Sequence, residues 1–243
     1  MKIIVQGMAV EYRDEGEGKT LLLLHGWQDD LRTFDPMVPF LPSCRIVRVD
    51  LPGFGGSEAP KTAWGVGDYA RFVKDLIDKL GIEVDVAVGH SFGGRVIIKG
   101  IGARKIVLIG SAGVAKGRTL RNRVIKALAK VGGILSYLPP FVFFRERMRK
   151  RLYSSIGSDY LDAGGLKETF VKTVSEDLVG SAGSISVPTL LIWGADDRET
   201  PLVDGRTLND AIAGSRLEVI DGAGHFVHRD DPEKVAKLIG EFI

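Results

Sequence analysis

Six short, apolar-dominated runs recur along the chain: TLLLL (20–24), RIVRVD (45–50), VDVAV (84–88), KIVLIG (105–110), PTLLIW (188–193) and RLEVID (216–221). A strand packed on one face alternates apolar and polar residues. A strand covered on both faces need not, and reads as a nearly continuous hydrophobic stretch. Segments with helical spacing lie between these runs. In DYARFVKDLIDKL (68–80), Phe72, Leu76, Ile77 and Leu80 fall on one face, with Asp68 as the expected N-cap and Gly81 just past the end. RVIIKGI (95–101), LVDGRTLNDAI (202–212) and PEKVAKLIGEFI (232–243) read as helices too, the last with Pro232 in its first turn. Strands alternating with helices predict an α/β fold, with a mostly parallel twisted sheet carrying helices on both faces through right-handed crossovers. KIIVQ, Gly7 and MAVEYR predict an antiparallel hairpin at the start.

The alternation fails between 115 and 185. Strand signals vanish there, and RTLRNRVIKALAKV (118–131), the piece around PPFVFFRERMRKRLY (139–153) and GGLKETFVKTVSEDL (164–178) favour helix. The expectation is one domain over 1–243, with a helical cap or lid at 115–185 inserted between two core strands. The length of 243 residues suits that plan. A net charge of +2 is too small to argue for nucleic acid, but the insertion is locally basic, with 13 Lys/Arg against 6 Asp/Glu. RERMRKR (145–151) reads first as a solvated helix face. With ILSYLPPFVFF (134–144), it also allows weak contact with an anionic membrane surface. Phe141, Val142, Phe143 and Phe144 read as cap residues packed on the core, or as the lining of an apolar pocket. Cys44 is the only cysteine, so no disulfide within the chain is expected, and zinc-ligand spacing is absent. The first residues lack a signal-peptide pattern, and no run of about 18 apolar residues occurs. A cytoplasmic protein is expected. No feature selects an oligomeric state.

The stretch GHSFGG (89–94) stands where a buried strand should end and a helix begin. Gly89, Ser91 and Gly93 meet the G-x-S-x-G spacing of a tight strand-to-helix turn that exposes its serine hydroxyl and aims the next backbone N–H, that of Phe92, at the same spot. A serine hydroxyl needs a base. Of the four histidines, His225 in DGAGHFVH follows the last strand, and glycines 222 and 224 let its loop reach inward. His90 lies inside the turn, His228 borders the final helix, and His25 reads as structural. An imidazole base needs an orienting carboxylate. WGADDRETP offers Asp197, preferred over Asp196, with Asp221 as the outsider.

Together these segments resemble the α/β-hydrolase superfamily, over roughly 1–114 and 186–243. The chain order Ser, Asp, His is that family's order. LLHGW (23–27) resembles its oxyanion segment, and DLPGFGGS (50–57) its glycine-rich loop. GHSFGG resembles the nucleophile turn, while WGADDRETP and GAGHFVHRDDPEKV resemble the acid and histidine segments. The resemblance implies Ser91, Asp197 and His225 as a catalytic triad, with the N–H groups of Trp27 and Phe92 as oxyanion hole and with no metal or organic cofactor. It implies hydrolysis of a small, partly apolar carboxylic ester through an acyl-enzyme. Lactonases, amidases, thioesterases and carbon–carbon bond hydrolases share the machinery, and a receptor-like hydrolase fold with vestigial activity is the alternative of another class. Serine at 91 argues against the dehalogenase and epoxide-hydrolase branches, which use aspartate there. Glycines 53, 55 and 56 lack the spacing of a phosphate-binding loop and read as loop-shaping. Trp64 and Trp193 read as packing residues.

Overall fold

The computed structural model describes residues 1–115 and 164–243. Eight strands form one sheet in the order β1-β2-β4-β3-β5-β6-β7-β8. They are β1 (Lys2–Val5), β2 (Met8–Glu15), β3 (Thr20–Leu24), β4 (Arg45–Val49), β5 (Val86–His90), β6 (Lys105–Ile109), β7 (Thr189–Gly194) and β8 (Arg216–Ile220). The predicted hairpin is present, and β1–β2 and β2–β4 pair antiparallel. Every other pairing is parallel. All six apolar runs became strands.

Both faces of the inner strands are covered, which explains why their runs do not alternate; β8, at the edge, alternates and has Ile220 as its one buried residue. Leu22 and Leu24 of β3 join one buried cluster, and Leu21 and Leu23 join the other. In β7, Leu191 and Trp193 enter the first cluster while Leu190 and Ile192 enter the second. Helices α1 (Val66–Leu80), α2 (Phe92–Ile98) and α5 (Leu202–Ala211) contribute to the first, through Tyr69, Phe72, Leu76, Val96 and Leu208. Helix α7 (Pro232–Phe242) covers the other face with Val235, Ala236 and Ile239. Parallel strands point their carboxyl ends the same way. The loops after β3, β5, β7 and β8, which carry Trp27, Ser91, Asp197 and His225, therefore open at one rim of the sheet.

Between β6 and β7, the described residues hold α3 (Lys167–Ser175) and the short α4 (Val179–Ala182). The two roots of the predicted insertion lie side by side. Leu178 N–H donates to Gly113 O at 2.8 Å, and Ala115 N–H donates to Asp177 Oδ2 at 3.2 Å. Lys99 pairs with Glu176 at 2.6 Å, and the buried Arg95 guanidinium donates to the Glu176 carbonyl. The helices expected over 118–131 and 139–153, the basic run 145–151 and the apolar run 134–144 lie outside the described residues. Among the described residues, no helix is long and apolar enough to cross a membrane.

The cap of helix α1 stands three residues before the expected one. Gly65 is its N-cap, and Asp68 stands inside the first turn, its carboxylate accepting from Gly65 N–H at 2.8 Å. A carboxylate in the first turn satisfies a free N–H as well as one at the cap does, so Asp68 marked the helix start but not its register. Gly81 closes the helix in the left-handed region, at φ 62°. A Cβ there would meet nothing within 4 Å, so only backbone strain opposes a side chain. Gly81→Ala is expected to cost about 1 kcal/mol, read as a lower urea midpoint at unchanged slope. An unaltered midpoint would contradict the left-handed cap.

Candidate active site

Ser91 joins β5 to α2 with φ 48° and ψ −106°, a positive φ in a residue that carries a Cβ. Two things hold it there. Its N–H donates to Ile109 O at 3.0 Å, and its carbonyl accepts from Ala112 N–H at 3.2 Å and from Arg95 N–H at 3.3 Å. The turn is also too tight for side chains around it. A Cβ at Gly89 would lie 2.6 Å from Gly93 C and Gly94 N, one at Gly93 would collide with the Leu24 carbonyl, and one at Gly94 with the Ser111 hydroxyl. Strain of this kind persists only where the surroundings over-determine it, and it clusters at functional sites.

The segment after β3 lies against this turn. A Cβ on Gly26 would stand 3.5 Å from Ser91 Cβ. The half-buried Trp27 ring packs edge-on against Phe54 (4.9 Å) and Phe92 (5.2 Å) and tilts against Phe170 of α3 (5.1 Å), an aromatic wall beside Ser91. His25 is structural, as the sequence suggests. Its Nδ1 pairs with Gly26 O at 2.6 Å, and its Nε2 accepts from Leu51 N–H at 2.9 Å. The glycine-rich loop is shaped by Gly53 (φ 91°) and Gly55 (φ 51°), and Gly56 N–H donates to the buried Asp50 at 2.7 Å.

On the far side of β6, Asp197 and His225 meet. His225 Nδ1–H donates to Asp197 Oδ2 at 2.9 Å, and both residues are buried. Gly110, directly after β6, makes room for the pair: a Cβ there would lie 3.2 Å from Asp197 Oδ2 and 3.5 Å from His225 Nδ1. Burial alone would raise the Asp197 carboxyl, but hydrogen bonds from His225 and from the backbone and side chain of Thr200 outweigh it, and the net shift is downward. Asp197 is therefore an ionised acceptor that fixes the proton of His225 on Nδ1 and leaves Nε2 with a lone pair. Asp196, the rejected neighbour, is exposed. Among the described residues, no group of three or more His, Cys, Asp or Glu is arranged to hold a metal.

Several partners of this pair were not foreseen from the sequence. Thr200 Oγ1 lies 2.8 Å from Asp197 Oδ2 and 3.2 Å from His225 Nδ1. The exposed Glu199 carboxylate stands 3.6 Å from His225 Nε2. His90 Nε2–H donates to the His225 carbonyl at 3.0 Å, and its ring lies 4.8 Å from that of His225 and 4.5 Å from that of His228. His228 Nε2 pairs with Thr33 Oγ1 at 3.0 Å. Arg229 donates to that same hydroxyl and to both oxygens of Asp29 at 2.9 Å, so the histidine loop is tied to the Trp27 loop. The signal for Thr200 was available: a Thr three residues after a turn-forming Asp is placed to bond it. Arg229–Asp29 spans 200 positions and left no local mark.

A profile of the family described as "Alpha/beta hydrolase family" matches residues 21–238. The chain belongs to the alpha/beta hydrolase family. It is 26% identical over 264 residues, covering 97% of this chain and 91% of the relative, to a 2-hydroxy-6-oxononadienedioate/2-hydroxy-6-oxononatrienedioate hydrolase of Klebsiella pneumoniae. Among solved structures, an esterase from Exiguobacterium antarcticum superposes with a TM-score of 0.77 at 23% identity, covering 99% of this chain and 98% of that one. The enol-lactonase from Burkholderia xenovorans LB400 superposes with a TM-score of 0.76 at 24% identity, covering 100% and 99%. These two likenesses show the fold.

The buried histidines give the family member an acid limit. Burial pushes His90 well below the ordinary imidazole value of 6.5 and His228 down to about 3; it also lowers His25. The unfolded chain takes up protons near 6.5 while the native state refuses them. Stability from keeping these rings neutral is complete above pH 6.5 and is lost as the pH falls below it. At one pH unit below the unfolded value, each ring that stays neutral costs the native state about 1.4 kcal/mol. Urea midpoints measured at pH 7.5 and downward are expected to drop steeply below about 6.5. A flat profile to pH 5 would refute the neutral burial of these rings.

Proposed function

We propose that this chain is a serine hydrolase of carboxylic esters, with Ser91 as nucleophile, His225 as base and Asp197 as orienting acid. The observation that supports it most is the buried Asp197–His225 hydrogen bond of 2.9 Å at the rim where Ser91 is held at φ 48°. Ser91 Oγ attacks the ester carbonyl carbon while His225 Nε2 takes its proton. Asp197 keeps Nδ1 protonated throughout and stabilises the imidazolium. The N–H groups of Trp27 and Phe92 receive the oxyanion, each contributing about 3 kcal/mol in the transition state. His225 returns the proton to the leaving alcohol. A water deprotonated by His225 then cleaves the acyl-serine and regenerates the hydroxyl. This chemistry calls for no metal and no organic cofactor.

The substrate is a small molecule with a partly apolar acyl group. The support is the wall of Trp27, Phe54, Phe92 and Phe170 beside Ser91. Residues 115–185 serve as the cap over the site, a reading favoured by the adjacent, hydrogen-bonded roots at 113–115 and 177–178. Carbon–carbon bond hydrolysis is the second reading, because the Klebsiella pneumoniae relative that matches nearly the whole chain is named a hydrolase of 2-hydroxy-6-oxononadienedioate, a compound with no ester bond to cleave.

A fluorophosphonate probe is expected to label the native protein and to leave Ser91→Ala unlabelled. Within a panel of p-nitrophenyl esters running from acetate to palmitate, at least one member is expected to be turned over by the native chain, with Asp197→Asn lowering kcat about 10³- to 10⁴-fold. Labelling that survives Ser91→Ala, or turnover no greater than that of Ser91→Ala, would overturn the proposal. Cleavage of a 2-hydroxy-6-oxo-dienoate much faster than any ester would move the chain to the second reading.

A further inference from the structure

We propose that the Thr200 hydroxyl is a positioning group of the acid–histidine pair, which sets how strongly Asp197 holds His225. The inference rests on the reading of His225 as the base. An ionised carboxylate has about four lone-pair sites, and Asp197 fills them with four donors. Glu199 N–H and Thr200 N–H reach Oδ1 at 2.9 Å each, while Thr200 Oγ1 at 2.8 Å and His225 Nδ1 at 2.9 Å reach Oδ2. Three of the four donors come from the turn 197–200 itself. The plane of the carboxylate is thereby fixed before the imidazole arrives.

The hydroxyl has one hydrogen and two acceptors in range, Asp197 Oδ2 at 2.8 Å and Gly110 O at 3.0 Å. The charged acceptor is the stronger, so the proton points to Asp197. Oδ2 then divides its negative charge between the hydroxyl and the imidazole. Thr200 is itself held on its other side. It is buried, and its carbonyl accepts the indole N–H of the fully buried Trp193 at 2.8 Å. Pro201 follows it at the entrance to α5.

Among the described residues, the other titratable and charged groups around His225 come from three places. Glu199 faces Nε2 from the loop after β7, and His90 touches the ring from the end of β5. His228 and Arg229 stand on the short helix α6 (Val227–Asp230) after the histidine loop. His90 and His228 are held neutral by burial, and Arg229 is engaged by Asp29. None of them occupies the Asp197 side of the ring. Removing the hydroxyl leaves the whole charge of Oδ2 directed at Nδ1–H. The imidazolium gains, and the base stays protonated to higher pH.

The test compares Thr200→Val, Thr200→Ala and Thr200→Ser by the pH dependence of kcat/KM and by NMR titration of the His225 ring. Thr200→Val is close in shape and lacks the hydroxyl, and Thr200→Ala serves where valine is not accommodated. The variants without a hydroxyl are expected to move the acid limb up by about half a unit, about threefold in the protonation constant. Their kcat is expected to fall several-fold with KM little changed. Thr200→Ser is expected to restore both. An unmoved or lowered acid limb, or a serine variant that behaves like valine, would overturn the proposal. Absence of any Ser91-dependent turnover would sink the serine-hydrolase reading instead. The NMR titration then still decides the role of Thr200: an upward shift of His225 in the valine variant supports it, and an unchanged value refutes it.

Discussion

The backbone of α2 passes so close to β3 that position 93 has no room for a Cβ against the Leu24 carbonyl. That approach organises everything around it. It forces the chain leaving β5 to reverse within one residue, which puts Ser91 at positive φ with its carbonyl facing 112 and its N–H facing 109. It brings the HGW segment after β3 and the chain after β6 against the same turn. Gly26, Gly89, Gly93 and Gly94 thus answer a single steric demand, the crossing of one helix start by three neighbouring strand ends.

Polar chemistry is built on that packed base with little slack. The Asp197 carboxylate next to His225 is matched donor for donor, while His25 is bonded at both ring nitrogens and His90 and His228 at Nε2 alone, all three kept uncharged. A low-dielectric surrounding strengthens each of these contacts and makes each unmatched group expensive. Histidine is used in two opposed ways in this fold. His225 is placed where a positive charge has a partner. Burial keeps His25, His90 and His228 uncharged: the carboxylates around His25 do not outweigh it, and the charged or titratable groups nearest His90 and His228 are other histidines and Arg229.

Much of this was legible in the sequence because it is local. Five of the six apolar runs announced strands covered on both faces, the sixth became the partly exposed edge strand β8, and the loop residues after them announced the rim. GHSFGG announced its turn because a tight backbone requires glycine. The start of α1 was misread by three residues, since an aspartate at the third helical position and one at the cap do the same electrostatic work. What stayed hidden was non-local or shared. Thr200 looked like an ordinary turn residue until its hydroxyl was found between two side chains 28 positions apart. The ring of His90 lies against that of His225 and bonds that residue's main chain, a contact across 135 positions. Ester or carbon–carbon specificity is not written in these motifs, since the same turn and rim serve several chemistries.

The contact of Arg229 with Asp29 and Thr33 fastens the loop after β8 to the loop after β3, two surface segments that share no strand pairing. They behave as halves of one mechanical part. Anyone wishing to transplant a new entrance onto this scaffold from a cousin would have to move both pieces as a matched set, because either half alone would arrive without its fastener.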